Sequence, residues 1–82
     1  MNQPVADLQL YGTLGCHLCD VAEQVLIPLL QQGCAIEAID IADDDALMAR
    51  YQTAIPVLAN GAGEELHWPF TTEQAQALWR RS

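Results

Sequence analysis

Apolar residues recur along this chain with two distinct periods. From Cys16 onward, Leu18, Val21, Ala22, Val25, Leu26, Leu29 and Leu30 fall three or four positions apart, which is the spacing of one helix face. The pattern predicts a helix to about Gln32, stopped by Gly33 and kinked at Pro28, whose ring nitrogen has no hydrogen to donate. Before it, Val5-Ala6-Asp7-Leu8-Gln9-Leu10-Tyr11 alternates in part, as a strand does, and Gly12 to Gly15 form a turn-like break. After it, Cys34-Ala35-Ile36-Glu37-Ala38-Ile39-Asp40-Ile41 reads as a second strand, buried on at least one face.

Asp43, Asp44 and Asp45 precede Ala46-Leu47-Met48-Ala49-Arg50-Tyr51, a short helix whose dipole acidic residues complement. The three aspartates lack the alternate spacing and the closing Glu of a calcium loop. Ile55-Pro56-Val57-Leu58-Ala59 is a third strand with a proline at its start, where strands tolerate one. Asn60-Gly61-Ala62-Gly63 is a hairpin turn, and Glu64 to Trp68 the returning strand. Thr71 and Gln74 have capping-box spacing at the head of a last helix, with Ala75, Leu78 and Trp79 as its buried stripe. The order β-α-β-α-β-β-α makes this an α/β chain. A crossover through the first helix makes strands one and two parallel, and the hairpin makes the four-stranded sheet mixed, with helices packed on it.

Composition narrows the function. At 82 residues there is room for one domain, and 51% hydrophobic content supports a compact core. Three basic residues against eleven acidic ones give a net charge of −8. That argues against nucleic acid or an anionic membrane as partner, favours a soluble monomer and repels acidic substrates. Met1-Asn2-Gln3-Pro4 has neither a basic start nor a long apolar stretch, so the expectation is no signal peptide, no membrane span and a reducing, cytoplasmic setting.

In such a setting Cys16-His17-Leu18-Cys19 carries the chemistry. The pair falls at a predicted helix N-terminus, where partial positive charge favours a thiolate. Disulfide exchange needs one accessible thiolate and a second thiol that resolves the mixed disulfide. Cys16 fits the attacking role and Cys19, one turn further in, the resolving one. A protonated His17 would tune the thiolate downward, against the pull of Asp20 and the acidic surface. Cys34, in an apolar run, reads as a small buried hydrophobe.

A metal module is the alternative from another class. Beyond the pair, only His17, Cys34 and His67 offer further soft or imidazole ligands, with no second Cys-x-x-Cys to close a structural zinc site. An iron–sulfur cluster bridging two chains and a partner-binding adaptor without turnover remain open on spacing alone. Haem attachment is excluded, since Asp20 and not His follows Cys19.

Three segments in order carry a resemblance. Leu10-Tyr11-Gly12-Thr13-Leu14-Gly15-Cys16-His17-Leu18-Cys19, then Thr53-Ala54-Ile55-Pro56-Val57-Leu58, then Glu65-Leu66-His67-Trp68-Pro69-Phe70 are similar to the active-site, cis-proline and hairpin-tail segments of small bacterial glutaredoxin-like proteins of the thioredoxin-fold superfamily. The resemblance runs from about Leu8 to Trp79. It implies a single thioredoxin-like domain over residues 1–82 that acts as a dithiol thiol–disulfide oxidoreductase. It also implies a cis Ile55–Pro56 bond facing Cys16, where Ile55 and Pro56 position the backbone of a disulfide-containing protein or small thiol substrate.

Three departures bear on glutathione. His17-Leu18 stands where glutaredoxins usually carry Pro-Tyr. Gly12 to Gly15 lacks the usual basic residue before the first cysteine, and Trp68-Pro69-Phe70 replaces the usual Gly-Gly stretch. Thr71 and Thr72 remain as an anion site at a helix start. The expectation is therefore no bound cofactor and no metal, with glutathione as a reductant and not a tightly held ligand.

Overall fold

The computed structural model describes residues 6–81. Val5, assigned above to the first strand, and Met1-Asn2-Gln3-Pro4 lie outside the described residues. The first strand, β1, spans Leu8–Gly12, and helix α1 spans His17–Gln31. Strand β2 spans Ile36–Asp40, followed by a 3-10 turn at Ile41–Asp43 and helix α2 at Asp45–Tyr51. Strands β3 (Val57–Asn60) and β4 (Glu65–His67) form the hairpin, and α3 (Thr72–Arg80) closes the chain. The sheet order is β2-β1-β3-β4, with β1 parallel to β2 and antiparallel to β3, and β3 antiparallel to β4.

Helix α1 buries Cys19, Ala22, Leu26 and Leu29, and runs through Pro28 without ending there. Each of the enclosed leucines contributes about 2 kcal/mol of transfer free energy. Gly33, at φ +95°, ends the helix in a Schellman motif: its N–H donates to the Leu30 carbonyl, and the Cys34 N–H donates to that of Leu29 at 3.0 Å. Cys34 is thus spent on closing the helix and is not a strand residue. Ala35 likewise precedes β2, its N–H held by the Asp7 carboxylate at 2.8 Å.

Two expectations about burial are corrected. Strand β2 has no fully buried residue, because it is the edge of the sheet with α1 covering it only in part; the buried positions Cys34 and Ile41 flank it. Leu18 and Leu30, placed by their spacing on the apolar face of α1, are about half exposed at 47% and 48%. A sheet only four strands wide cannot cover that whole flank.

The core lies between the sheet, α1 and α3, where Leu8, Leu10, Leu26, Leu29, Leu58 and Leu78 meet. Ile41, Tyr51 and Val57 form a smaller cluster involving α2. Asp44, one of the three aspartates, caps α2 by accepting from the Ala46 and Leu47 N–H groups. The Thr71–Gln74 capping box is present in both directions. Ala75 and Leu78 are buried, and Trp79 is half-buried against the core. Strand β3 starts two residues later than the pattern suggested, with Ile55 and Pro56 leading into it.

Asn60 organises the hairpin. Its Oδ1 accepts from the Ala62 and Glu64 N–H groups, while its Nδ2 donates to the Glu64 carboxylate and, at 2.9 Å, to the Leu78 carbonyl of α3. All four contacts are made by a side chain that is buried, so none of its polar capacity is left unmet.

Candidate functional site

Strand β1 ends against the first turn of α1, and this junction builds the site. Gly15, at φ +79°, turns the chain, and the Cys16 N–H donates back to the Thr13 carbonyl. Cys16 is the N-cap of α1, and its carbonyl accepts the first helical bond, from the Asp20 N–H. The Cys16 Sγ takes the place of a capping oxygen and accepts the Cys19 N–H at 3.2 Å. The two cysteines are joined as a disulfide across a Cα–Cα separation of 5.2 Å. Cys16 is partly exposed and Cys19 is buried.

Gly12 is the residue that sequence reasoning missed. A Cβ built on it would lie 2.9 Å from the Cys19 Sγ and 3.4 Å from the Cys19 Cβ. The last residue of β1 must therefore be bare for the buried sulfur to fit. Its only signal in the sequence was a glycine at a strand end, which reads equally well as a turn.

His17, the first residue of α1, is exposed, and so is Asp20 in the same turn. Leu14 projects beside Cys16 with 91% of its surface exposed. The Ile55–Pro56 bond is cis. Tyr11 pairs with Val57 at the end of β1 that leads to Cys16, so Pro56 enters the sheet at the same end as the cysteine pair. The Ile55 N–H donates to the Tyr51 carbonyl, and the Pro56 carbonyl accepts from the Trp68 N–H. A second cis bond, Trp68–Pro69, follows β4.

Thr71 and Thr72 are occupied by the fold. The Thr71 hydroxyl accepts the Gln74 N–H, the Thr71 N–H goes to the Gln74 side chain, and the Thr72 hydroxyl donates to the Val25 carbonyl of α1 at 2.8 Å. Glu73 already sits in that first turn. Both hydroxyls are thus committed within the protein, and Glu73 adds a negative charge beside them.

A polar cluster on the α2 side was also not foreseen. Tyr51 stacks on Tyr11 with ring centroids 4.7 Å apart and donates its hydroxyl to Glu65, which also takes Arg50 at 3.2 Å and lies 3.5 Å from His67. Burial, and then the bond to Glu65, push the Tyr51 hydroxyl up to about 12. These residues are distant in sequence, and nothing in their spacing announces them.

Cys34 stands apart from this chemistry. It lies at the far end of α1, about 20 Å along the helix from Cys19 at 1.5 Å per residue. Burial, with the Asp7 charge added, raises its thiol to about 11. Among the described residues no three His, Cys, Asp or Glu side chains converge as a metal site, and no helix is long and apolar enough to cross a membrane.

Comparison with known proteins agrees with the geometry. Residues 7–78 match the model of the glutaredoxin-like domain (DUF836). No curated protein matches the chain in sequence. The X-ray structure of protein XcR50 from X. campestris is similar at 36% identity and a TM-score of 0.78, over 92% of this chain and 97% of that one. Protein Ne2328 from Nitrosomonas europaea is similar at 30% identity and a TM-score of 0.73, over 94% and 96%. A glutaredoxin from Archaeoglobus fulgidus, at 19% identity and a TM-score of 0.61 over 92% and 87%, shares the fold. With this domain matched across most of the chain, and its sheet and helices laid out as in a thioredoxin fold, the chain belongs to the glutaredoxin-like family.

Proposed function

We propose that the protein is a dithiol thiol–disulfide oxidoreductase. The observation that carries this reading is the asymmetry of the pair: a partly exposed Cys16 sulfur that caps a helix, backed by a buried Cys19 sulfur bonded to it. In the reduced protein the helix N-terminus and the Cys19 N–H stabilise the Cys16 thiolate. That thiolate attacks a substrate disulfide R–S–S–R′, forming a Cys16–S–S–R bond and releasing R′–S⁻. Cys19 gives up its proton and attacks the Cys16 sulfur. The Cys16–Cys19 disulfide forms, and R–S⁻ leaves with the substrate's two sulfurs fully reduced. A thiol reductant returns the pair to the dithiol.

Ile55 and Pro56 flank the approach. Because the Ile55 N–H is already committed to Tyr51, its carbonyl is the backbone group it offers to an extended substrate. Glutathione fits as that thiol reductant more easily than as a held ligand. Arg50 and Arg81 are engaged with Glu65 and Glu64, and Asp20 is the charge nearest Cys16 in sequence. His17 is exposed at the helix start, directly after Cys16.

The test is reduction of a small neutral disulfide and a protein disulfide by wild type, Cys16→Ser and Cys19→Ser. Wild type turns over. Cys16→Ser is inactive, and Cys19→Ser accumulates a mixed disulfide visible by mass spectrometry. Full activity in Cys16→Ser, or a wild-type pair that never oxidises between about −180 and −270 mV, refutes the reading.

A further inference from the structure

Among the described residues the exposed large hydrophobics are Leu14, Leu18, Ile27 and Leu30. All but Leu18 line one continuous surface feature. Ile27 and Leu30 line an open depression of about 520 Å³ between α1 and β2, floored by Leu10, Ile36 and Ala38. Leu14 lines a second depression, of about 220 Å³, that reaches Gly12 and Cys19. The two share Leu10, Asp20, Glu23 and Ala38, so they form one groove that starts at the cysteine pair and follows the flank of α1. Its charged lining is Asp20, Glu23 and Asp40, with no cation. The arginines are elsewhere: Arg50 on Glu65, Arg81 on Glu64, and Arg80 at the end of α3.

A small domain that gathers three of these four exposed apolar side chains in one groove, rimmed by a single sign of charge, has the anatomy of a docking surface. The groove also lies along the sheet edge that β2 leaves unpaired. We propose that it docks a cationic amphipathic segment of a partner protein. Leucine-like side chains of that segment fill the space between Ile27, Leu30 and Ile36, and its Lys or Arg residues meet Asp20, Glu23 and Asp40. The uniform negative rim selects this occupant: a second copy of this chain, with a net charge of −8, would bring like charge to like. Seen with the site, the groove names the substrate class as a protein whose disulfide lies beside an apolar, basic segment. That last step rests on the function proposed above; the docking itself does not.

The probes are two synthetic peptides without cysteine, both with a leucine face, one with Lys and one with Glu on the remaining positions. Each is titrated into the isotope-labelled protein while backbone amides are followed by NMR. The Lys peptide shifts the amides of Ile27, Leu30, Ile36 and Ala38, and its binding weakens steeply with salt. Leu30→Ser weakens it on the order of tenfold and Glu23→Gln about threefold, each with the amide spectrum of the folded protein retained. Equal binding of the Glu peptide, shifts confined to other surfaces, or self-association that Leu30→Ser abolishes would each overturn the proposal. Peptides carrying a disulfide separate the two readings. Docking of the Lys version without reduction refutes the oxidoreductase and leaves the groove. Reduction with no preference for Lys over Glu refutes the groove and leaves the oxidoreductase.

Discussion

Replacing Gly12 by alanine adds one methyl group at the tightest point of the site. The new Cβ would lie 2.9 Å from the Cys19 Sγ, about an ångström inside ordinary contact, and 3.4 Å from the Cys19 Cβ. The sulfur cannot swing aside, because it is bonded to Cys16 and carried on a buried helix turn. Overpacking of this kind costs about 1–3 kcal/mol. The unfolded-state entropy that alanine removes returns about 0.4–1 kcal/mol, so the net loss is about 1–2 kcal/mol. In a domain of this size that lowers Tm by about 4–16 °C. The clash is worst while the sulfur is fixed in the disulfide, and reduction lets Cys19 turn away. Gly12→Ala should therefore raise the reduction potential, by about 10–45 mV if half or more of the cost is relieved. Calorimetry of the oxidised form and a glutathione-buffer titration measure the two effects. Repeating the melt in a Cys19→Ala background, where the sulfur is gone, should recover most of the loss. An equal loss in that background would refute the steric argument.

Two other perturbations follow from buried groups. Because the Cys34 thiol is buried and raised to about 11, reduced native protein should alkylate at the partly exposed Cys16 near neutral pH and at Cys34 only on unfolding, with the sites identified by mass spectrometry. The same shift sets a pH dependence. A folded-state value above the unfolded one means that the folded form holds its proton longer, so this stability is complete below about pH 8.5 and declines as pH rises towards 11. Tyr51 acts in the same direction, and urea midpoints across that range test the sign. Asn60→Ala removes four hydrogen bonds from a buried position and leaves the Leu78 carbonyl without this donor; the cost is about 2–4 kcal/mol by urea denaturation, and a loss below about 1 kcal/mol would contradict the hub role.

The elements that could be read in advance are those whose signal is local. The period of α1, the capping box at Thr71, the Gly33 stop and the Asn60 turn each depend on residues a few positions apart, and each appears close to where the pattern put it. The cysteine pair was legible for the same reason: spacing and helix position together define its chemistry. What escaped depends on contacts between distant segments. Cys34 and Ala35 looked like strand because apolar residues continue into Ile36, yet the helix end and Asp7 claim them. Leu18 and Leu30 keep helical period but overhang a narrow sheet. Thr72 looked available for an anion until α1 supplied the Val25 carbonyl. Gly12 could be recognised as a spacer only once Cys19 lay against it.

The last helix is pinned at both ends. Thr72 ties its start to the Val25 carbonyl, and Asn60 ties its end to the hairpin. A terminal helix ordinarily frays first and independently. Here, opening α3 means breaking a bond to the cysteine-bearing helix at one end and to the central hairpin at the other. Its amides should therefore exchange with solvent together with those of α1, as one cooperative unit. The helix furthest from the cysteines in sequence thereby acts as the latch of their housing.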